Sequence, residues 1–195
     1  MVYTTEGVKM ARTTFDGPVR SLNGFIGTGP NMAQSISGTV DGGTDIKGID
    51  KYQGKIVQIG DADTVFNLPS IIDTADGSTA GPGSDPNNLN RVGIMYEFIV
   101  TSSLTGANTF VLNAGTAAGR DTADVFRGMA IYNNTATDPG AVTAFNAGGT
   151  DTLTLTATTK GGLEGAQIQC RAVDGLIWQV SAQLIGNGTF ANPWS

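Results

Sequence analysis

The fold is decided by residues 176–185, which read LIWQVSAQLI. Apolar side chains recur there at every second position: Leu176, Trp178, Val180, Ala182 and Leu184. Successive side chains of a β-strand point to opposite faces of a sheet, so this period of two predicts a strand with one buried face. Polar side chains occupy most of the opposite face, which is expected to meet solvent.

The segments around this run repeat the same pattern. Residues 164–173 alternate as well, with Cys170 in the apolar row, and residues 92–101 form a third alternating segment. Asp174-Gly175 separates two of these segments, and this dipeptide is typical of the tight turns that close hairpins. We therefore predict an all-β fold, either a sandwich or a barrel.

Further short apolar alternations, separated by turn residues, run from about residue 54 to the end of the chain. The predicted strands are 54–59, 63–68, 92–101, 108–113, 126–132, 141–145, 151–157, 164–173 and 176–185. Residues 121–130 could instead form a helix, although Gly128 weakens that alternative. Residues 73–90 hold several glycines and prolines, so we predict a long loop there with neither strand nor helix.

Residues 1–45 differ from the rest of the chain because Gly, Thr and Pro are scattered through them with little periodicity. We predict an extended N-terminal arm with short strand pieces over 1–45 and one β-domain over 46–195. The first 20 residues hold three basic and two acidic side chains, a net charge of +1 in a chain of −6. Two interpretations stay open, an ordinary solvated tail and an arm that docks on a partner.

Charged residues are scarce, at 14% of the sequence against roughly 25% in ordinary domains. The 11 basic and 17 acidic residues argue against a nucleic-acid partner, because phosphate binding needs clustered Lys and Arg. No apolar run approaches the length of a membrane span and the first residues lack signal-peptide features, so we expect a soluble, unsecreted protein with no membrane partner. A surface with so little charge suits packing against other protein subunits.

The residue types that common enzymes use are missing or scattered. The sequence has no His and one Cys, which excludes Ser-His-Asp and Cys-His catalysis and His-ligated metals. Cys170 is predicted to be a buried hydrophobic residue, and Glu97 and Glu164 to be solvated rather than paired across a sugar. We predict no enzyme activity, no cofactor and no metal site, with a hard cation in some Asp-rich loop as a minor alternative. The Asp-containing stretches are the two copies of Gly-Gly-Thr-Asp, at residues 42–45 and 148–151, and the pair Asp61 and Asp63.

Two stretches, residues 13–25 and a run between Asp151 and Thr189, resemble structural proteins of tailed phages, in particular marine and cyanobacterial ones. Residues 13–25, TTFDGPVRSLNGF, are similar to the opening of such proteins. The second stretch runs from Asp151-Thr152-Leu153-Thr154-Leu155 through Trp178-Gln179-Val180 to Gly186-Asn187-Gly188-Thr189. The resemblance implies a jelly-roll-like antiparallel β-sandwich that forms a homotrimer, is made in the host bacterial cytoplasm and is displayed on the virion.

The function that this resemblance implies is capsid decoration. A decoration or cement protein binds the outer surface of the phage head and bridges neighbouring major capsid protein subunits, which stabilises the shell. Candidate partner contacts lie toward both ends of the chain: Phe15, Arg20, Leu22, Phe25, Ile26, Phe190 and Trp194. For Trp194, a disordered terminal residue is the alternative. The alternative function is a short head or tail fibre that recognises a host-surface glycan through the long loop.

Overall fold

The computed structural model describes residues 33–41, 52, 55–73, 89–90, 92–115, 124–135 and 142–195. These residues form eleven strands: β1 Ala33–Asp41, β2 Ile56–Asn67, β3 Ile72–Asp73, β4 Leu89–Asn90, β5 Met95–Val100, β6 Thr109–Asn113, β7 Val125–Asn134, β8 Val142–Asn146, β9 Thr152–Thr156, β10 Gln167–Ala172 and β11 Ile177–Gly186. They contain no helix, so the all-β prediction is confirmed. Accordingly, no helix in this part of the chain is long and apolar enough to cross a membrane.

Nine of these strands form one curled sheet in the order β8-β7-β11-β10-β5-β2-β6-β9, with β1 also paired to β2. The prediction of a purely antiparallel sheet is wrong, because β2 runs parallel to β1, β5 and β6, and β7 runs parallel to β11. Residue alternation reports which face a side chain takes but carries no information on the direction of the neighbouring strand. The jelly-roll arrangement stays a prediction.

The sheet curls at β2. This single long strand lies where the sequence predicted two strands, 54–59 and 63–68. Its first part, Ile56–Ile59, pairs with β5, whereas its last part, Thr64–Asn67, pairs with β6. Between these parts the register against β1 shifts, with four β2 residues opposite one β1 residue. Such extra residues bend a strand, so β2 carries the chain from one half of the curled sheet to the other.

Strand β7 overturns the helix alternative for residues 121–130. Val125–Ala130 begin a ten-residue strand, while residues 121–123 lie outside the described part. Gly128 has a φ of 143°, and a Cβ there would lie 1.9 Å from the Val180 carbonyl oxygen of β11. Glycine at this position therefore permits close pairing with β11, and that pairing outweighs the local helix preference.

The long loop predicted over residues 73–90 begins and ends in strand. Ile72 pairs with Asn90 and Asp73 with Leu89, so the prediction of no strand is wrong at both ends. Two-residue strands are too short to leave a period-two pattern in the sequence. Residues 74–88 lie outside the described residues.

The inner side of the curled sheet forms the hydrophobic core. In the run 176–185, Trp178, Val180, Ala182 and Leu184 are at most 2% exposed, which confirms the predicted buried face for these four residues. Leu176, the first residue of the predicted row, is half-buried and precedes β11. Aromatic rings meet edge to face at the bend, where the ring centroid of Phe66 lies 4.9 Å from that of Phe98. Such a pair contributes about 0.5–1.5 kcal/mol beyond the burial of its surface.

β10 and β11 form the predicted hairpin. Val173 N–H donates to the Ile177 carbonyl oxygen at 3.0 Å, which closes the turn. Asp174 Oδ1 accepts a hydrogen bond from Leu176 N–H at 2.9 Å. The Asp174 side chain thus satisfies a backbone donor within the turn, as Asp commonly does.

The C-terminal segment joins the two ends of the strand order. Trp194 forms a bridge with Leu153 of β9, and Thr154 N–H donates to the Pro193 carbonyl oxygen at 2.8 Å. The Trp194 Nε1–H donates to the carbonyl oxygen of Phe145, in β8, at 3.4 Å. Because β8 and β9 are the first and last strands of the order, this segment ties the curled sheet together.

Part of the predicted arm belongs to the sheet. β1 lies within residues 1–45, and almost all of its residues pair in parallel with β2. Residues 1–32 and 42–45 lie outside the described residues, so the arm and its boundary stay predictions.

Candidate interaction surface

The outer face of the sheet from β2 to β8 is the most distinctive surface of the described structure. Cross-strand pairing places its side chains in rows, one of which joins Ile56, Glu97, Gln169, Ser181, Met129 and Asn146. The next row joins Gln58, Ile99, Gln167, Gln183, Ile131 and Ala144. A third joins Met95, Arg171, Gln179 and Arg127. We call these three rows the glutamine face.

Amides dominate the centre of the glutamine face. Five of the seven glutamines in the sequence lie on it. Within the described structure, the side-chain amides of Gln167, Gln169, Gln179 and Gln183 make no hydrogen bond. Each amide offers two donors and one acceptor oxygen, so β10 and β11 present a patch of uncharged hydrogen-bonding groups that bond to no other residue of the chain.

Apolar side chains flank these amides on both sides. Of the seven large hydrophobic residues exposed in the described structure, four lie in the three rows, Ile56 and Met95 on one side and Met129 and Ile131 on the other. A fifth, Val142, is 61% exposed and shares the same outer side of β8. Clustering of exposed apolar residues on one face is typical of a protein interaction surface.

The charge and size of the glutamine face also suit contact with a protein. Arg127, Arg171 and Glu97 are the charged residues of its rows, a net charge of 2 − 1 = +1 in a chain of −6. Five strand spacings and three rows, with a margin at each side, give on the order of 500 Å². A standard interface buries about 800 Å² on each partner, so this face alone would make a small one.

The predicted contact residues at the C-terminal end pack against the chain itself. Trp194 is 5% exposed, and its ring centroid lies 5.8 Å from that of Phe126. Half-buried Phe190 packs edge to face on Tyr132 with centroids 4.4 Å apart. Trp194 is thus ordered within the core rather than a loose terminal residue, and binding a partner through it would require the segment to leave the sheet.

The predicted contact residues of the arm, Phe15, Arg20, Leu22, Phe25 and Ile26, lie outside the described residues. Their position relative to Phe190 and Trp194 is therefore not described either, and their role stays a prediction.

The two glutamates considered for glycoside hydrolysis sit at different levels of the sheet. Glu97 pairs with Gln169, whereas the N–H of Gly165, next to Glu164, bonds to the Val100 carbonyl oxygen three residues further along β5. Three strand residues span about 10 Å. Glycosidase carboxyl groups lie about 5–9.5 Å apart, so this spacing gives no support to a catalytic pair.

Asp61 and Asp63 hold the loop between β5 and β6. Asp61 Oδ1 accepts hydrogen bonds from Thr105 N–H at 2.7 Å and from the Asn108 side-chain amide at 2.9 Å. Asp63 Oδ1 accepts one from Thr109 N–H at 2.8 Å. The hydrogen bonds to Asp61, first that from the Thr105 hydroxyl, lower the pKa of its carboxyl group. These carboxylates brace a loop, and no cluster of three metal-ligating side chains occurs among the residues described.

Cys170 is fully buried in β10, as predicted, and burial raises the pKa of its thiol. A buried thiol with a raised pKa is unreactive, which agrees with a structural role.

Gly-Gly-Thr-Asp occurs twice in the sequence, at residues 42–45 and 148–151. The second copy begins in a turn in which Gly148 N–H donates to Asn146 Oδ1 at 3.0 Å. The first copy, residues 42–45, lies outside the described part.

Sequence reasoning assigned the outward positions of β10 and β11 correctly but did not single them out as a surface. The signal was present, since four glutamines occupy alternate positions between residues 167 and 183. Met129 and Ile131 extend this surface only because β7 lies parallel and next to β11, and the sequence pattern does not indicate that pairing.

Comparisons of the chain with protein-family models, with curated proteins and with solved structures find no match.

Proposed function

We propose that this chain is a virion structural protein, a capsid decoration or cement protein that attaches to the outer surface of a phage head through its glutamine face. The observation that carries this proposal is the composition of that face, with exposed amides that bond to no other residue at its centre and apolar side chains on both flanks. Interface centres are depleted in charge, and four residues at the centre of this face, Gln167, Gln169, Ser181 and Gln183, carry none. The resemblance of residues 13–25 and of the C-terminal run to tailed-phage proteins is the reason for proposing a phage head as the partner.

The proposed mechanism is binding to the assembled shell, with no catalytic step. A protein that binds the assembled shell and not its free subunits shifts the equilibrium toward the shell. The glutamine face would lie on the major capsid protein, and its amides would bond to polar groups that the shell exposes. Because this face is smaller than a standard interface, we assign the remaining contact area to the arm, whose apolar residues include Phe15, Leu22 and Phe25.

The face favours a protein partner over a glycan. Lectin-like sites commonly stack an aromatic ring on a sugar, and the three rows of the glutamine face contain no aromatic side chain. The apolar groups there are aliphatic or thioether side chains, which pack against other aliphatic surfaces. Methionine in particular adapts to irregular protein surfaces.

The test is reconstitution on capsids that lack this protein. The double variant Gln169→Lys/Gln183→Lys alters two exposed residues of the face, and Ala107→Lys/Asn187→Lys places the same charge on two exposed loop residues. We expect the face variant to bind at least about tenfold more weakly in co-sedimentation. The loop variant should bind like the wild type, and both should fold, because exposed substitutions usually change stability by less than about 0.5 kcal/mol.

Deletion of residues 1–30 tests the arm in the same assay, and the proposal expects loss of attachment while the β-domain still folds. A face variant that decorates capsids at full occupancy would contradict the role of the face. A wild-type protein that does not bind capsids would contradict the proposed function as a whole.

A further inference from the structure

We infer that the outer edge of β8 is a pairing site for β8 of a second copy of this chain, which forms a two-fold dimer with a continuous sheet. β8 ends the strand order, and among the described strands it pairs with β7 alone. The inference concerns the purified chain in solution and therefore does not depend on the proposed function.

The pairing between β7 and β8 shows which backbone groups face outward. Ala147 N–H donates to the Gly128 carbonyl oxygen at 3.0 Å, so residue 147 turns its backbone groups toward β7. Backbone direction alternates along an antiparallel strand, so Phe145 and Thr143 also face β7. Val142, Ala144 and Asn146 then point their N–H and C=O groups away from it, toward the open edge.

Within the described residues, β8 carries few of the side-chain features that protect an edge strand against pairing. Natural edge strands are commonly blocked by Lys, Pro, a bulge or an inward charge, whereas β8 reads Val-Thr-Ala-Phe-Asn. Val142 is the most exposed large hydrophobic residue of the described structure, at 61%. On the neighbouring strand, Ile131 and Met129 are 39% and 47% exposed. An open edge with apolar neighbours fits an added strand rather than solvent.

A second β8 is the occupant that the geometry fits. In an antiparallel pairing centred on Ala144, Ala144 faces its own copy and Val142 faces Asn146. All three outward residues then exchange hydrogen bonds in the way that a two-fold, self-complementary interface requires. β8 carries no charge, so this pairing brings no like charges together although each chain has a net charge of −6. Val142, Ala144 and Ile131 of both copies would form one apolar strip across the axis.

The dimer also bears on capsid binding, and this consequence does rest on the proposed function. Pairing at β8 joins two glutamine faces side by side and brings the contact area to on the order of 1,000 Å², above the roughly 800 Å² of a standard interface. The homotrimer implied by the resemblance needs a three-fold axis, which an antiparallel pairing of β8 with itself cannot provide.

Sedimentation velocity of the full chain over a range of concentrations tests the dimer. Ala144→Pro removes an outward N–H and leaves the bonds to β7 in place, and Val142→Lys adds a charge at the edge. We expect each variant to raise the dimer Kd at least about tenfold. Gln183→Lys is the matched control, because it adds the same charge on the same face two strands from the edge, and it should leave the dimer intact.

Circular dichroism keeps the result interpretable, since both edge variants should keep the wild-type spectrum and melting temperature. Hydrogen exchange adds a second readout: the amides of Val142, Ala144 and Asn146 should become protected as concentration rises. A wild-type chain that stays monomeric, a trimer, or a dimer that survives Ala144→Pro would each overturn the inference. Dimerisation without capsid binding would support it and contradict the proposed function alone.

Discussion

Trp194→Ala is expected to destabilise the whole domain, although it lies one residue from the end of the sequence. The residue contacts two strands that are far apart in the strand order, β9 through its backbone bridge and β8 through its indole N–H, and its side chain is 5% exposed. The substitution keeps the backbone bridge to β9 and removes the buried ring with its hydrogen bond to β8.

The expected loss follows from burial. Truncation of a buried Trp or Phe to Ala typically costs about 3–5 kcal/mol, because the apolar contact is lost and a cavity remains. A change of 1 kcal/mol shifts the melting temperature of a domain of this size by about 2–4 °C, so the melting temperature should fall by roughly 6–20 °C. The loss should approach the upper value if the hydrogen bond between Thr154 N–H and the Pro193 carbonyl oxygen also breaks.

Urea unfolding followed by far-UV circular dichroism measures this change without relying on tryptophan fluorescence. Trp194→Phe is the matched control, since it keeps an aromatic ring beside Phe126 and loses the Nε1–H donor. It should recover most of the stability, within about 1–2 kcal/mol of the wild type. Met129→Ala, at an exposed position, should change stability by less than about 0.5 kcal/mol.

The reasoning would be refuted by a Trp194→Ala variant as stable as the wild type. If that variant also lost binding to capsids, the role of Trp194 would be that of a partner contact, as the sequence alone suggested, and the segment would not join β8 to β9.

Three further predictions concern a backbone position, a carboxylate and the thiol. Gly128→Ala should destabilise the domain by roughly 3 kcal/mol or more in urea unfolding, because a Cβ would meet main chain at 1.9 Å, whereas Gly106→Ala, with open space around it, should cost about 1 kcal/mol. Hydrogen bonds to the Asp61 carboxylate, first that from Thr105, lower its pKa in the folded chain. They therefore stabilise the fold at pH values above the pKa of the unfolded chain, and this stabilisation is lost as pH falls through the folded-state pKa. Asp61→Asn should make the free energy of unfolding less dependent on pH in the acid range, and an unchanged pH profile would contradict this. Cys170 should resist thiol reagents at mildly alkaline pH until urea unfolds the chain, and labelling of the native protein at the rate of a free thiol would show that its burial is wrong.

The strand positions were largely predictable because alternation is a local property. The apolar rows of β5, β10 and β11 face inward as their sequences indicate, and the Asp174-Gly175 turn closes the expected hairpin. Each of these features depends on residues close in sequence and on the period of the pleat.

The strand neighbours could not be predicted because they depend on contacts distant in sequence. Nothing in the pattern of β2 shows that it bends and pairs in parallel with two different strands, nor that β7 lies parallel to β11. The burial of Trp194 was missed for the same reason: a terminal residue in isolation resembles a loose end, and its partner Leu153 lies 41 positions earlier. Predicting the glutamine face requires both the alternation within each strand and the order of the strands in the sheet. Only the folded chain reveals that order.

The central claim, that this chain decorates a capsid, is tested most directly by its copy number in purified phage particles, measured by quantitative mass spectrometry against the major capsid protein. Icosahedral symmetry places a decoration protein at on the order of hundreds of copies per particle, and that is the predicted result. A count in the tens or lower would contradict decoration and favour a fibre or vertex appendage, and absence from the particles would contradict the assignment to the virion.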